Sequence, residues 1–110
     1  MKILIVDDDS VSRELMAEIL EKEDTDQAED GLEALQKCEL NKYDWVLMDI
    51  LMPVMDGIQS ATAIKKLEQP PKILYITGSH RHIRDVDQAD GILLKPINIE
   101  ALKRKVYGNG

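Results

Sequence analysis

Polar residues with chemical uses follow four short apolar runs of the sequence. The runs span residues 3–6, 45–48, 73–76 and 92–94, and the polar residues that come after them are Asp7, Asp8, Asp49, Thr77 and Lys95. In an open α/β sheet, ligands bind outside the carboxyl ends of the strands. If the runs are parallel strands, three carboxylates, a hydroxyl and an ammonium group therefore meet at one edge of a sheet.

The three carboxylates would repel one another unless a cation lay among them. Magnesium prefers oxygen ligands and usually takes one or two carboxylates together with waters and phosphate oxygens. Lys95 adds a positive point charge, and Thr77 adds a hydroxyl donor. A carboxylate nucleophile with a metal, an ammonium group and a hydroxyl suits in-line phosphoryl transfer, in which catalysis is mostly positioning and charge neutralisation. The residues thus indicate a magnesium-dependent phosphoryl site.

The rest of the chain supplies the elements that must position this edge. Apolar runs of strand length alternate with longer segments of helical period, which predicts a parallel sheet covered by helices on both faces. Ser10 is predicted to cap the first helix, and Asp56 and Gly57 are predicted to form the turn and cap of the third.

Two segments carry weaker signals. Residues 23–28 read EDTDQA, so a strand there would be short and would lie at an edge of the sheet. Residues 80–90 have few apolar side chains at helical spacing, which predicts a brief fourth helix. We therefore predict a doubly wound α/β fold with five parallel strands in the order 2-1-3-4-5 and five helices.

Size and charge limit the class of protein. The chain has 110 residues, enough for a single domain over 1–110, and a net charge of −7 that would repel a nucleic-acid backbone. Its single cysteine, Cys38, excludes an intrachain disulfide, and the N-terminus lacks the pattern of a signal peptide or membrane span. We expect a cytoplasmic protein that contacts neither nucleic acid nor membrane directly.

Four segments together resemble the signature of CheY-like receiver domains of two-component response regulators. They are VDDD at 6–9, DILMPVMDG at 49–57, YITG at 75–78 and LKP at 94–96, in the order that the family has them. The resemblance covers nearly the whole chain. It implies a flavodoxin-like (βα)5 fold and a domain that phosphorylation switches, so that its contacts with a downstream effector protein or domain change.

The resemblance also implies how the acidic residues act. Asp49 would be the phosphoacceptor, and a sensor histidine kinase or a phosphotransfer protein would supply the phosphoryl group. Mg²⁺ would be bound directly by Asp8, Asp49 and the backbone carbonyl of Leu51. Asp7 would act on the ion through water.

The resemblance implies roles for Lys95 and Thr77, but the chain departs from the family pattern at one position near them. Lys95 would pair with the phosphoryl oxygens, Thr77 would move toward them after modification, and the Lys95–Pro96 bond would be cis. The family usually has an aromatic residue three positions before the lysine, where this chain has Ile92. A relay from the threonine to an aromatic side chain therefore cannot operate in its usual form. Homodimerisation, a frequent output of the family, stays open.

Other interpretations of the same residues stay open. Asp7, Asp8 and Asp9 alone would form a solvated acidic turn, and a pseudo-receiver would signal through protein contacts without phosphorylation. A phosphohydrolase acting on other substrates would need an acid-base residue two positions after Asp49, where Leu51 stands. We therefore expect a domain that catalyses its own phosphorylation and dephosphorylation but is not a turnover enzyme.

Overall fold

The computed structural model describes residues 1–52, 54–78 and 90–108. Strands and helices alternate along these ranges, as the apolar runs predict. The strands are β1 (Lys2–Val6), β2 (Asp24–Ala28), β3 (Trp45–Asp49), β4 (Lys72–Thr77) and β5 (Gly91–Leu94). The helices of the described ranges are α1 (Ser10–Ile19), α2 (Gly31–Leu40), α3 (Gly57–Lys65) and α4 (Ile99–Tyr107). The helix predicted in residues 80–90 lies outside the described residues, apart from its last position.

The five strands formed by the described residues lie parallel in one sheet, in the order β2-β1-β3-β4-β5. This confirms the predicted doubly wound α/β fold and its strand order. β2 lies at an edge, as its polar sequence predicts, but it has 5 residues and is therefore as long as β1 and β3. Its one buried residue is Ala28. The register aligns Val6, Met48, Tyr75 and Ile92 side by side across the other four strands. Residues that follow this row therefore gather at the same edge.

Apolar side chains on the two faces of the sheet form two cores. Alternate residues of each strand point to opposite faces, so that β1, β3 and β4 contribute to both cores and read as continuous apolar runs. The α2/α3 core includes Leu4, Val6, Ala34, Cys38, Val46, Met48, Ala61, Ile64, Ile73 and Tyr75. The α1/α4 core includes Ile3, Ile5, Met16, Leu20, Leu47, Leu74, Ile76, Leu102 and Val106.

A polar side chain caps the N-terminus of each described helix. The capping residues are Asp9, Asp30, Asp56 and Asn98, which accept hydrogen bonds from backbone N–H groups of the first turn. Asp56 confirms the predicted cap of α3, whereas the prediction for Ser10 is wrong, because the helix already includes it and the Asp9 carboxylate accepts from Val11 N. Among the described helices, none is long and apolar enough to cross a membrane.

Gly57 lets the start of α3 pack directly on the end of β3. A Cβ added at Gly57 would lie 2.1 Å from the backbone oxygen of Asp49, closer than any side chain tolerates. The Gly57 N–H also donates to the Ile50 carbonyl at 2.9 Å. The first turn of α3 is therefore fixed to the backbone that carries Asp49.

Gly57→Ala is expected to lower the free energy of unfolding by about 1 to 3 kcal/mol, because the added methyl group forces the backbones of α3 and β3 apart. Gly78→Ala is the matched control, since no described atom lies within 4 Å of a Cβ built there. That control should change stability by less than about 0.5 kcal/mol. Urea unfolding measures both variants, and equal effects would contradict the close approach of α3 to β3.

Candidate functional site

The predicted site residues lie together at the carboxyl edge of the sheet. Asp7 follows β1, Asp49 ends β3, Thr77 ends β4, and Lys95 follows β5. The register explains this, because Val6 pairs with Met48 and the next position of each strand carries an aspartate. Asp8 continues the β1 end toward solvent. The structure thus brings all five polar residues to one place, as the sequence predicts.

Three carboxylates form the acidic part of the site. One oxygen from each of Asp7, Asp8 and Asp49 lies within 4.8 Å of the other two. Asp7 is fully buried and Asp49 is 7% exposed, whereas Asp8 is exposed. A group of carboxylate oxygens that is open to solvent on one side fits a hard cation such as Mg²⁺, which keeps several waters in its shell. The donor set is therefore suited to the ion that the sequence implies.

Lys95 is the cation that the chain itself supplies. Its Nζ lies 3.0 Å from Asp7 Oδ2 and 3.5 Å from Asp49 Oδ2, and its side chain is 28% exposed. Burial acts to lower the pKa of Lys95, but the hydrogen bond to Asp7 and the charges of both aspartates outweigh it, so that the pKa is raised. The ammonium group therefore stays charged and holds the two buried carboxylates together.

Both burial and neighbouring negative charge affect the pKa of the Asp49 carboxyl group. Burial and then the charge of Asp7 raise its pKa to about 6, against the opposing effects of Lys95 and of a hydrogen bond from the Leu51 N–H. Asp8 adds a smaller effect that also raises the pKa. One lysine thus compensates only part of the repulsion among the three acids, and a divalent cation would remove much of the rest.

Backbone contacts fix the other two predicted residues. Thr77 is fully buried, and its carbonyl accepts a hydrogen bond from the Lys95 N–H at 2.9 Å, which couples the ends of β4 and β5. The peptide bond between Lys95 and Pro96 is cis, as predicted. The Leu51 N–H hydrogen-bonds to the Asp49 carboxylate. The role of the Leu51 carbonyl as a metal ligand stays a prediction.

Arg13 supports the site, although it was not predicted from the sequence. Its guanidinium donates from Nη1 to the Asp7 carbonyl at 2.6 Å and from Nε to Gln27 Oε1 at 3.0 Å. The Asp9 N–H in turn donates to Asp7 Oδ1 at 2.9 Å. Together these contacts hold the backbone and the carboxylate of Asp7 in one orientation. The sequence feature that could have indicated this contact is an arginine in the first turn of the helix that directly follows residues 7–9.

Asp49→Asn is expected to raise the free energy of unfolding by about 1 to 3 kcal/mol at pH 7.5 in EDTA, since each pKa unit corresponds to about 1.4 kcal/mol. An aspartate with a raised pKa favours folding while it is neutral, and this contribution is lost as pH rises through about 6. The difference between wild type and variant should therefore shrink toward pH 4.

Glu14→Gln is the control for net charge, because Glu14 is exposed on α1. It removes the same single charge outside the acidic cluster, so its stability should match that of wild type. Chemical unfolding of the three proteins over a pH series makes the comparison. A destabilised Asn variant at pH 7.5 would show that the carboxylates do not repel one another in the folded state.

Comparison with known proteins agrees with this geometry. A sequence model of the response regulator receiver domain matches residues 3–107. The chain is 37% identical over 101 residues to the chemotaxis protein CheY of Halobacterium salinarum, which covers 86% of this chain and 84% of that protein. It is 36% identical over 109 residues to the positive alginate biosynthesis regulatory protein of Pseudomonas aeruginosa. That match covers 93% of this chain but 44% of the relative, so the chain spans less than half of several curated relatives.

Solved structures agree as well. The response regulator protein TrrA of Thermotoga maritima, crystallised in complex with Mg²⁺-BeF, superposes with a TM-score of 0.89 at 37% identity and covers 96% of both chains. The chemotaxis protein CheY4 of Vibrio cholerae superposes with a TM-score of 0.90 at 31% identity, over 96% of this chain and 95% of that one. The chain therefore belongs to the CheY-like receiver domains of two-component response regulators.

Proposed function

We propose that this receiver domain accepts a phosphoryl group on Asp49 from a histidine kinase or a phosphotransfer protein, with Mg²⁺ bound beside it. The new charge then changes the affinity of the domain for a downstream effector or for a second copy of itself. The observation that carries this proposal is the placement of Lys95 Nζ against Asp7 and Asp49, next to the cluster of three carboxylate oxygens. The net charge of the chain, −7, favours protein partners over nucleic acid. A cytoplasmic location fits such partners.

The chemistry follows from the groups at this edge. A carboxylate oxygen of Asp49 attacks the phosphorus atom, so that a P–O bond forms while the P–N bond to the donor imidazole breaks, and the imidazole takes a proton from solvent. With a pKa of about 6, Asp49 is mostly the required carboxylate at neutral pH. Lys95 lies where it can pair with the transferred phosphoryl oxygens, and the Thr77 hydroxyl moves toward them.

The acidic residues would bind the metal ion. Asp8, Asp49 and the Leu51 carbonyl would hold Mg²⁺ directly, and Asp7 would act through water. The ion would neutralise charge on the phosphoryl oxygens, in a reaction where positioning and electrostatics supply most of the rate. The similar protein TrrA, which was solved in complex with Mg²⁺-BeF, supports a magnesium ion at this edge.

The two alternative functions have less support. A pseudo-receiver has no need for a partly exposed lysine that bridges two aspartates beside a third. A phosphohydrolase acting on other substrates needs an acid-base group near Asp49, but Leu51 stands two positions later. We therefore propose self-catalysed phosphorylation and dephosphorylation without turnover of other substrates.

Incubation with acetyl phosphate and Mg²⁺ should add one phosphoryl group to the wild-type chain, and Asp49→Asn should abolish the addition. Asp44→Asn is the matched control, because Asp44 precedes the same strand at its opposite end and accepts from the Lys2 N–H at 2.7 Å. Intact-protein mass spectrometry measures the added phosphoryl group, and samples with EDTA show whether the addition requires Mg²⁺. Incorporation into the Asp49→Asn variant, or none into wild type, would contradict the proposal.

The phosphorylated state is expected to last minutes or longer. In the family, the residues two positions after the acceptor aspartate and two after the threonine tune attack by water, and here they are Leu51 and Ser79. Neither is a strong base. Ser79 lies outside the described residues, whereas the Leu51 side chain is exposed. Loss of phosphate from purified protein, followed by mass spectrometry after removal of the donor, measures the lifetime, and decay within seconds would contradict the expectation.

A further inference from the structure

Tyr75 is a buried tyrosine whose hydroxyl lacks a partner. Its side chain is 0% exposed, and no hydrogen bond to its Oη is present in the structure of the described residues. By contrast, the hydroxyl of Tyr43 donates to Asp26 Oδ2 at 2.6 Å near the β2 edge. Buried hydroxyl groups are normally paired, because an unpaired one has lost its hydrogen bonds to water without replacement.

Tyr75 lies in the row of side chains directly behind the site. It pairs in register with Met48 on one side and Ile92 on the other, and it packs in the α2/α3 core. Thr77 is two residues further along β4 and so points to the same face of the sheet. Because Ile92 has no polar atom in its side chain, β5 offers no side-chain partner for the hydroxyl at that position.

The charge of the residue that caps α3 also acts on the Tyr75 hydroxyl. The negative charge of Asp56 acts on it, and together with burial, the larger cause, this charge raises the pKa of Tyr75 to about 12. Asp56 caps α3, whose next residue, Gly57, packs on the Asp49 backbone. Two elements thus connect Asp49 with the surroundings of Tyr75: the start of α3, which packs on the Asp49 backbone, and the end of β4, where Ile76 pairs with Asp49.

We propose that Tyr75 is a positioning residue of the switch: its hydroxyl has no partner while Asp49 is unmodified and gains one when Thr77 and the start of α3 adjust to a phosphoryl group. The inference rests on the proposed phosphorylation of Asp49. An unpaired hydroxyl in the resting state and a paired one in the modified state shift the equilibrium toward the modified state. The Tyr75 hydroxyl thus acts from β4, next to the position on β5 where the chain has Ile92.

Tyr75→Phe tests this by separating resting stability from switching. Without beryllofluoride the variant should be at least as stable as wild type, since it removes an unpaired polar atom. In Mg²⁺, the beryllofluoride concentration that gives half-saturation should rise about 2- to 12-fold, the range for one hydrogen bond lost from the modified state only. Thermal midpoints and fluorescence of Trp45 across a beryllofluoride series give both quantities.

Tyr43→Phe is the matched control. It removes a hydroxyl that is already paired, so its resting stability should fall while its half-saturation by beryllofluoride stays that of wild type. If Tyr75→Phe behaves like this control, the Tyr75 hydroxyl is paired at rest and the inference is overturned although the proposed function stands. If wild type itself fails to respond to beryllofluoride with Mg²⁺, both fail together.

A measurement on the wild-type chain covers the case in which the phenylalanine variant does not fold. The ¹³C resonance of the Tyr75 ring carbon that bears the hydroxyl reports its hydrogen bonding. It should shift when beryllofluoride and Mg²⁺ are added, while the same carbon of Tyr43 stays unchanged. An unchanged Tyr75 resonance in a protein that binds beryllofluoride would overturn the inference.

Discussion

Repulsion among three carboxylates at one edge of the sheet is the constraint on which the site depends. The register of β1 and β3 places aspartates side by side, and burial prevents water from screening them. Lys95 reaches two of the three and leaves Asp49 with a pKa of about 6. A divalent cation bound among these carboxylates would reduce their repulsion and so stabilise the folded chain. The Asp49 carboxylate also lies 3.5 Å from the Lys95 ammonium group, to which we assign the pairing with phosphoryl oxygens in the proposed function.

Apolar strands, a partly buried hydrogen bond and one close backbone approach position the carboxylates. Strands that are apolar on both faces confine polar side chains to the strand ends, where the site lies. The Arg13 guanidinium fixes the Asp7 carbonyl, and the absence of a Cβ at Gly57 lets α3 begin against the Asp49 backbone. The same contacts that orient the carboxylates also connect them to α1 and α3. The backbones that carry Asp7 and Asp49 are therefore in direct contact with the two helices.

Much of this could be predicted from the sequence, because strand ends and carboxyl edges follow from simple patterns. Continuous apolar runs identified four strands, and the polar residues after them identified the site. The N-cap of α1 was misplaced by one residue, since the aspartate and the serine are both good caps and only tertiary structure selects one. Arg13 was not identified, because a side chain that reaches across to another strand leaves no local pattern.

Other features depend on contacts that a sequence does not encode locally. Val54 is exposed in the loop between β3 and α3 and adopts a φ of 70°, a conformation that β-branched residues rarely take. Nothing in the residues around it predicts such strain beside the site. The close approach at Gly57 likewise becomes visible only when α3 is placed against β3. The direct ligands of the metal remain predictions from the family resemblance.

The most direct test of the central electrostatic claim is the free energy of unfolding of the wild-type chain as a function of free Mg²⁺ at pH 7.5. A cation that binds the folded acidic cluster but not the unfolded chain must stabilise the protein in proportion to RT ln(1 + [Mg²⁺]/Kd). The free energy of unfolding should rise steadily with log [Mg²⁺] above Kd at constant ionic strength. Stability that is the same in EDTA and in excess Mg²⁺ would contradict the electrostatic claim.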